Sequence, residues 1–88
     1  MITGTQIRAA RALLAWSQSE LAERAGRSLP TIKRLEARGN QPAGSARTNE
    51  SVRRAIEAAG VVFIDDDADG GRGVRLGVRD RGTRGRQR

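Results

Sequence analysis

The groups in this sequence best suited to chemistry are its cations. Arg27, Lys33, Arg34 and Arg38 stand within one short stretch, with no carboxylate among them before Glu36. Ammonium and guanidinium groups attract phosphate. A guanidinium can also donate to O6 and N7 of guanine together, a contact worth about 1–3 kcal/mol of discrimination. The plainer reading of the stretch is a solvated helix face. The whole chain leans the same way, with 17 Lys+Arg against 10 Asp+Glu and a net charge of +7 over 88 residues. Such a balance suits a polyanionic partner, although a basic composition also serves solubility.

Other chemistries are poorly provided for. There is no Cys and no His, which removes disulfides, thiolate zinc sites, ordinary transition-metal sites and the commonest catalytic side chains. Acids, serines and threonines form no nucleophile–base pair at an interpretable spacing, so neither an enzyme nor a cofactor is expected. One Trp and one Phe make a poor platform for stacking single-stranded bases. Asp65, Asp67, Asp69 and Gly70 match the start of a calcium loop, but its twelfth position is Leu76 where a bidentate Glu is needed. A solvated hairpin loop is expected there instead. No apolar run approaches a membrane span or the core of a signal peptide, so a cytoplasmic protein with no membrane partner is the expectation.

The elements that must position the cations read as helices. Thr3 to Ala15 forms an opening helix capped by Thr3 or Thr5, with Ile7, Ala10 and Leu14 facing the core and Leu13 and Trp16 closing one end. Ser17 to Glu36, SQSELAERAGRSLPTIKRLE, reads as two short helices joined by a tight turn. Ser17 and Glu20 have capping-box spacing. Leu21, Ala22 and Ala25 make an apolar face, and Gly26 ends the first helix in the left-handed conformation. Ser28 offers the next cap, and Ile32 and Leu35 the next buried face. A residue before proline disfavours the helical region, so the start of this second helix, about 28–38, stays open by one residue at Leu29. Gln18, in the first turn of its helix, can reach a phosphate or stand exposed. Glu20, Glu23 and Arg24 read as a solvated face.

Gly39 to Arg47 is a loop by composition, in which Asn40, Gln41, Ser45 and Arg47 offer phosphate contacts or mere polarity. Thr48 or Asn49 caps a further helix to Ala59, with Val52, Ile56 and Ala59 buried and Arg53, Arg54 and Glu57 exposed. Gly60 ends it. VVFI at 61–64 and the following GVRLGV suggest an antiparallel hairpin with Val61 and Phe63 on one face and Val62 and Ile64 on the other. A two-stranded ribbon is marginal alone, so one face should pack on the last helix while the other is open to a second subunit. Residues 78–88 read as a disordered basic tail, able to strengthen non-specific DNA binding, to fold onto the acidic loop, or to do neither.

The order Gln18, Leu21, Ala22, Gly26, Ile32, Leu35, Glu36 resembles the helix-turn-helix of the phage lambda repressor and Cro family, the XRE regulators, over roughly the first two-thirds of the chain. The resemblance implies that the second helix enters the DNA major groove. Leu29, Pro30 and Arg34 then fall where base edges are read, and Arg27, Ser28, Thr31 and Lys33 lie near the backbone. Leu29 and Pro30 carry no donors, which concentrates base reading on Arg34. A matching arginine of that family pairs with the glutamate ending the recognition helix, here Arg11 with Glu36. One departure is that Leu35 and Glu36 are followed by Ala37, Arg38 and Gly39, one residue more than the usual Leu-Glu-X-Gly.

The expected fold is mainly α, a lambda-repressor-like domain of about four helices over residues 1–60 with a small C-terminal β-hairpin over 61–77 and the tail beyond. The expected function is sequence-specific binding of double-stranded DNA by a bacterial transcription regulator. It would be a repressor acting as a homodimer that occludes a palindromic operator. The DNA-binding set is Gln18, Arg27, Ser28, Leu29, Pro30, Thr31, Lys33, Arg34, Arg38 and Asn40. The alternative is an antitoxin or adaptor whose principal partner is a toxin-like protein, with DNA autoregulation secondary. An RNA-binding module using the tail is disfavoured by the lack of aromatics.

Overall fold

Each helix begins at a hydroxyl. In the computed structural model, which describes residues 1–77, Thr3, Ser17, Ser28 and Ser45 are extended and each accepts from the backbone N–H three residues on. Every such bond satisfies a donor that the helix cannot pair itself, worth about 1 kcal/mol. The helices that follow are α1 (Gly4–Leu14), α2 (Gln18–Ala25), α3 (Leu29–Glu36) and α4 (Ala46–Ala58), and an antiparallel hairpin of β1 (Val61–Ile64) and β2 (Gly73–Leu76) completes the fold. The protein is therefore mainly α with a small hairpin after the helices. The expected tail, 78–88, lies outside the described residues.

Several boundaries differ from the sequence reading. The reciprocal capping box forms at Thr3, where Gln6 Oε1 accepts from the Thr3 N–H at 3.0 Å. At Ser17 only half of one forms, because the Glu20 carboxylate accepts from Arg24 at 3.0 Å. Helix α4 is capped by Ser45, before either expected cap. Gly44 turns the chain at φ +75°, and Asn49 is buried and engaged elsewhere.

Ile7, Ala10, Leu21, Ile32, Leu35, Val52 and Ile56 are buried together with Ile2, Ala43 and Val61. Leu14 and Trp16 pack against this core, whereas Leu13 lies beyond the edge of the α1 stripe and is 42% exposed. Ala59 is also exposed, since α4 has ended and Gly60, at φ +104°, redirects the chain into β1.

Two long-range devices fix how the helices meet. A Cβ on Gly4 would collide with the Leu35 carbonyl oxygen and lie 2.8 Å from that of Glu36, so only glycine lets the start of α1 approach the end of α3 this closely. Asn49 is 3% exposed and works as a three-way tie. Its Oδ1 accepts from the Ile2 N–H at 3.1 Å, and its Nδ2 donates to Ile2 O at 2.9 Å and Ala43 O at 2.8 Å.

The hairpin register is Val61 with Leu76, Val62 with Arg75, Phe63 with Val74, and Ile64 with Gly73. Val61 joins the core, with Phe63 and Val74 packed against it, while Val62 and Ile64 face outward. β1 packs on α4, as expected, and β2 packs on α1. The Gln6 amide holds the loop end of the ribbon by donating to Ile64 O at 3.2 Å and Gly73 O at 3.0 Å. Among the described residues, no helix is long and apolar enough to cross a membrane.

Candidate nucleic-acid interface

Gly26, left-handed at φ +67°, ends α2, and the next N–H, from Arg27, returns to Ala22 O at 2.9 Å. This closes a turn short enough that α2 and α3 pack directly on each other. Ser28 is the cap and Leu29 the first helical residue, which settles the boundary left open by Pro30. Ile32, Leu35 and Glu36 turn inward. Pro30, Lys33, Arg34 and Ala37, at i, i+3, i+4 and i+7, form the exposed stripe, and Arg38 follows it.

The cations of that stripe stand without acids, as do Arg8, Arg27, Arg47 and Arg75 among the described residues. Arg24, Arg53 and Arg54 each pair with a glutamate four residues away. Among the described residues, Lys33, Arg34 and Arg38 form no ion pair. Arg34 Nη2 donates to Thr31 Oγ1 at 3.2 Å, which leaves most of its fork open, and Thr31 Oγ1 lies 2.9 Å from Ser28 Oγ. Arg38 Nε reaches Pro42 O at 3.3 Å. Thr31, Arg34 and Arg38 thereby line one wall of a groove whose other wall is Gly44, Ser45 and Thr48 at the start of α4.

Behind the stripe, Arg11 and Glu36 form a two-pronged ion pair, Nε to Oε2 at 2.6 Å and Nη2 to Oε1 at 2.9 Å. Arg11 Nη1 donates to Trp16 O at 2.9 Å, and Gln18 Nε2 to Glu36 Oε1 at 3.1 Å. One buried carboxylate therefore joins α1, α2 and α3. The hydrogen bonds that Arg11 donates to Glu36 raise the Arg11 pKa, partial burial opposes the rise, and the charge of Glu36 adds to it.

Not every residue read as DNA-facing gathers on this stripe. Gln18 is half-buried with one amide N–H already given to Glu36, so the donors left open at the α2 start are its second amide N–H and the backbone N–H groups. Arg27 turns toward α4, its Nε donating to Ser51 Oγ at 2.8 Å. Leu29 is half-buried. Asn40 lines a different cleft, between the start of α1 and the hairpin loop, with Thr5, Asp66 and Arg72.

The start of α4 as a groove wall was not legible, because its true cap, Ser45, lay within a stretch that reads as loop. In the hairpin loop, Asp67 Oδ1 accepts from the Asp69 and Gly70 N–H groups at 2.8 and 3.1 Å. Among the described residues no three His, Cys, Asp or Glu side chains gather as a metal site. The chain matches no protein-family model and no curated protein.

Proposed function

We propose that this protein is a sequence-reading, double-stranded DNA-binding regulator of the lambda repressor and Cro type, which lays α3 in the major groove. The observation that carries this reading is the exposed face of α3, where Lys33, Arg34 and, just past the helix, Arg38 stand close together with no acidic partner among the described residues. Arg34 has the open fork suited to a guanine edge. Lys33 and Arg38 supply phosphate contacts, and the first turn of α2 adds backbone N–H groups. The protein acts in the cytoplasm as a homodimer on a palindromic site, and repression follows from occlusion of polymerase.

The test is titration of a selected site and a scrambled duplex with wild type, Arg34→Ala and Lys33→Ala. Arg34→Ala should lose about 1–3 kcal/mol per half-site on the selected site and little on the scrambled one. Lys33→Ala should weaken both alike and reduce the salt slope by about 1 per subunit, about 2 for the homodimer. Equal losses on both duplexes for both variants would overturn the assignment of α3.

A second reading, as an antitoxin or adaptor with a protein partner, is favoured by Val62 and Ile64, which are 39% and 37% exposed on the outer face of the hairpin. Sedimentation with Val62→Ser and Ile64→Ser decides between the two: dissociation of a homodimer supports the regulator, and a wild-type monomer supports the adaptor.

A further inference from the structure

A second basic surface lies around the corner from α3. Arg24 at the end of α2, Arg27 in the turn, and Arg47 and Arg54 on α4 line a shallow groove with Glu50, Ser51 and Ala55. The groove is built, not a chance scatter of long side chains. Arg27 is held to its floor by the 2.8 Å bond to Ser51, Arg24 lies 4.5 Å over the Trp16 ring, and Arg54 is braced by Glu50 at 2.9 Å. Four guanidinium groups line the groove against two carboxylates, Glu50 in the lining and Glu20, which pairs with Arg24 at 3.0 Å. The braces do not hold the cations back from a stronger anion, because exposed pairs at i, i+4 contribute only about 0.3–0.5 kcal/mol and are screened by salt.

The chemistry of the lining selects the partner. A protein docking here would need an apolar anchor, and the floor offers only Ser51 and Ala55. Guanidinium groups at the rim match phosphate in charge and in forked geometry. Arg47 and Arg54 lie seven residues apart on one face of α4, about 10 Å, far enough to meet different phosphates of one strand. The surface is also continuous with the α3 groove. Arg27 immediately precedes the Ser28 cap of α3, and Arg47 adjoins Thr48, which lines the α3–α4 groove. Only the first turn of α4 separates the two.

We infer that the groove between α2 and α4 is a second, sequence-blind site for the phosphodiester backbone of duplex DNA flanking the site read by α3. This rests on the proposed DNA-binding function and extends it, so that the protein covers and holds more duplex than it reads. Arg47 and Arg54 are the chief contacts. Arg24 and Arg27 complete the wall, and Glu50 tempers the affinity.

The test measures the salt dependence of binding for wild type, the double variant Arg47→Gln with Arg54→Gln, and Glu50→Gln, each on a duplex ending at the selected site and on one extended by a helical turn at both ends. Melting curves check that all variants fold, which exposed substitutions away from the core allow. On the extended duplex, where each subunit of the homodimer loses two contacts, the double variant should lower the slope of log K against log salt by about 4, so that a fourfold rise in salt costs wild type about 150-fold more affinity than the variant. Glu50→Gln should strengthen binding to the extended duplex and leave the short one unchanged. The preference for selected over scrambled sequence should be the same in all three.

Unchanged slopes on the extended duplex, or an equal fall on the short one, overturn the flanking site. A failure of the α3 reading is separate: it appears as a wild type without sequence preference, and the slopes on any extended duplex still report on the groove.

Discussion

Replacing Arg11 by alanine tests the most densely connected point in the molecule. Glu36 is 4% exposed and Arg11 18%, and the guanidinium supplies two of the three side-chain hydrogen bonds that reach the carboxylate. Arg11→Ala leaves a buried charge with only the Gln18 amide, and also removes the donor to Trp16 O. Breaking a buried pair from one side costs about 3–5 kcal/mol. The remaining Gln18 bond and the partial exposure of Arg11, which admits water to the gap, place the loss near the lower end, about 3 kcal/mol. For a domain of this size that lowers Tm by about 12–24 °C. Thermal unfolding followed by circular dichroism measures it, with Arg54→Ala as the control. That arginine is 77% exposed in its pair with Glu50, so its loss should cost about 0.5 kcal/mol or less. Adding Glu36→Gln to Arg11→Ala removes the stranded charge and should recover at least half of the deficit. A Tm for Arg11→Ala no lower than that of Arg54→Ala would refute the reasoning, as would a double variant less stable than Arg11→Ala alone.

Gly4→Ala drives a methyl into the backbone carbonyls of Leu35 and Glu36; it should cost about 3 kcal/mol by denaturant unfolding, and a change below 1 would show that α1 and α3 do not meet as described. Asn49→Ala leaves the Ile2 N–H and the Ala43 carbonyl without their partner and takes one of the two donors from Ile2 O, which keeps the Ala43 N–H; it should cost about 3 kcal/mol, while Asn49→Asp should fail to rescue because a carboxylate cannot donate to two carbonyls. Stability should be flat between pH 6 and 9: the raised Arg11 pKa means that its contribution is complete below the unfolded-state value and is lost only as pH climbs through the higher folded one. With no His, Cys or Tyr, a melting temperature that falls by more than a few degrees across that window would contradict this assignment of charges.

What could be read from the chain was local. Three of the four helix starts follow from a hydroxyl accepting from a backbone N–H three residues away, a signal contained in four positions, and the Gly26 turn follows from one residue's conformational freedom. The hairpin followed from two runs of β-formers. What could not be read arose where side chains compete for partners. Glu20 is drawn to Arg24 and away from its own cap, Gln18 is captured by a carboxylate eighteen residues on, and Asn49 looks like a cap while it ties the N-terminus to α4. The need for glycine at position 4 lies in the carbonyls of α3, which no local pattern contains. For the candidate site, spacing sufficed to put Lys33 and Arg34 on the face opposite Ile32 and Leu35. The turn of Arg27 toward Ser51, and of Asn40 toward the hairpin cleft, depended on tertiary packing.

The central claim is that α3 reads duplex sequence, and the measurement closest to it is selection from a random-sequence duplex library at physiological salt, run in parallel with wild type and Arg34→Ala. The account predicts an enriched palindrome with wild type, its half-sites about one helical turn apart and a guanine in each whose enrichment disappears in the variant. A library that emerges without a shared motif, or the same motif at equal strength from both proteins, would contradict it.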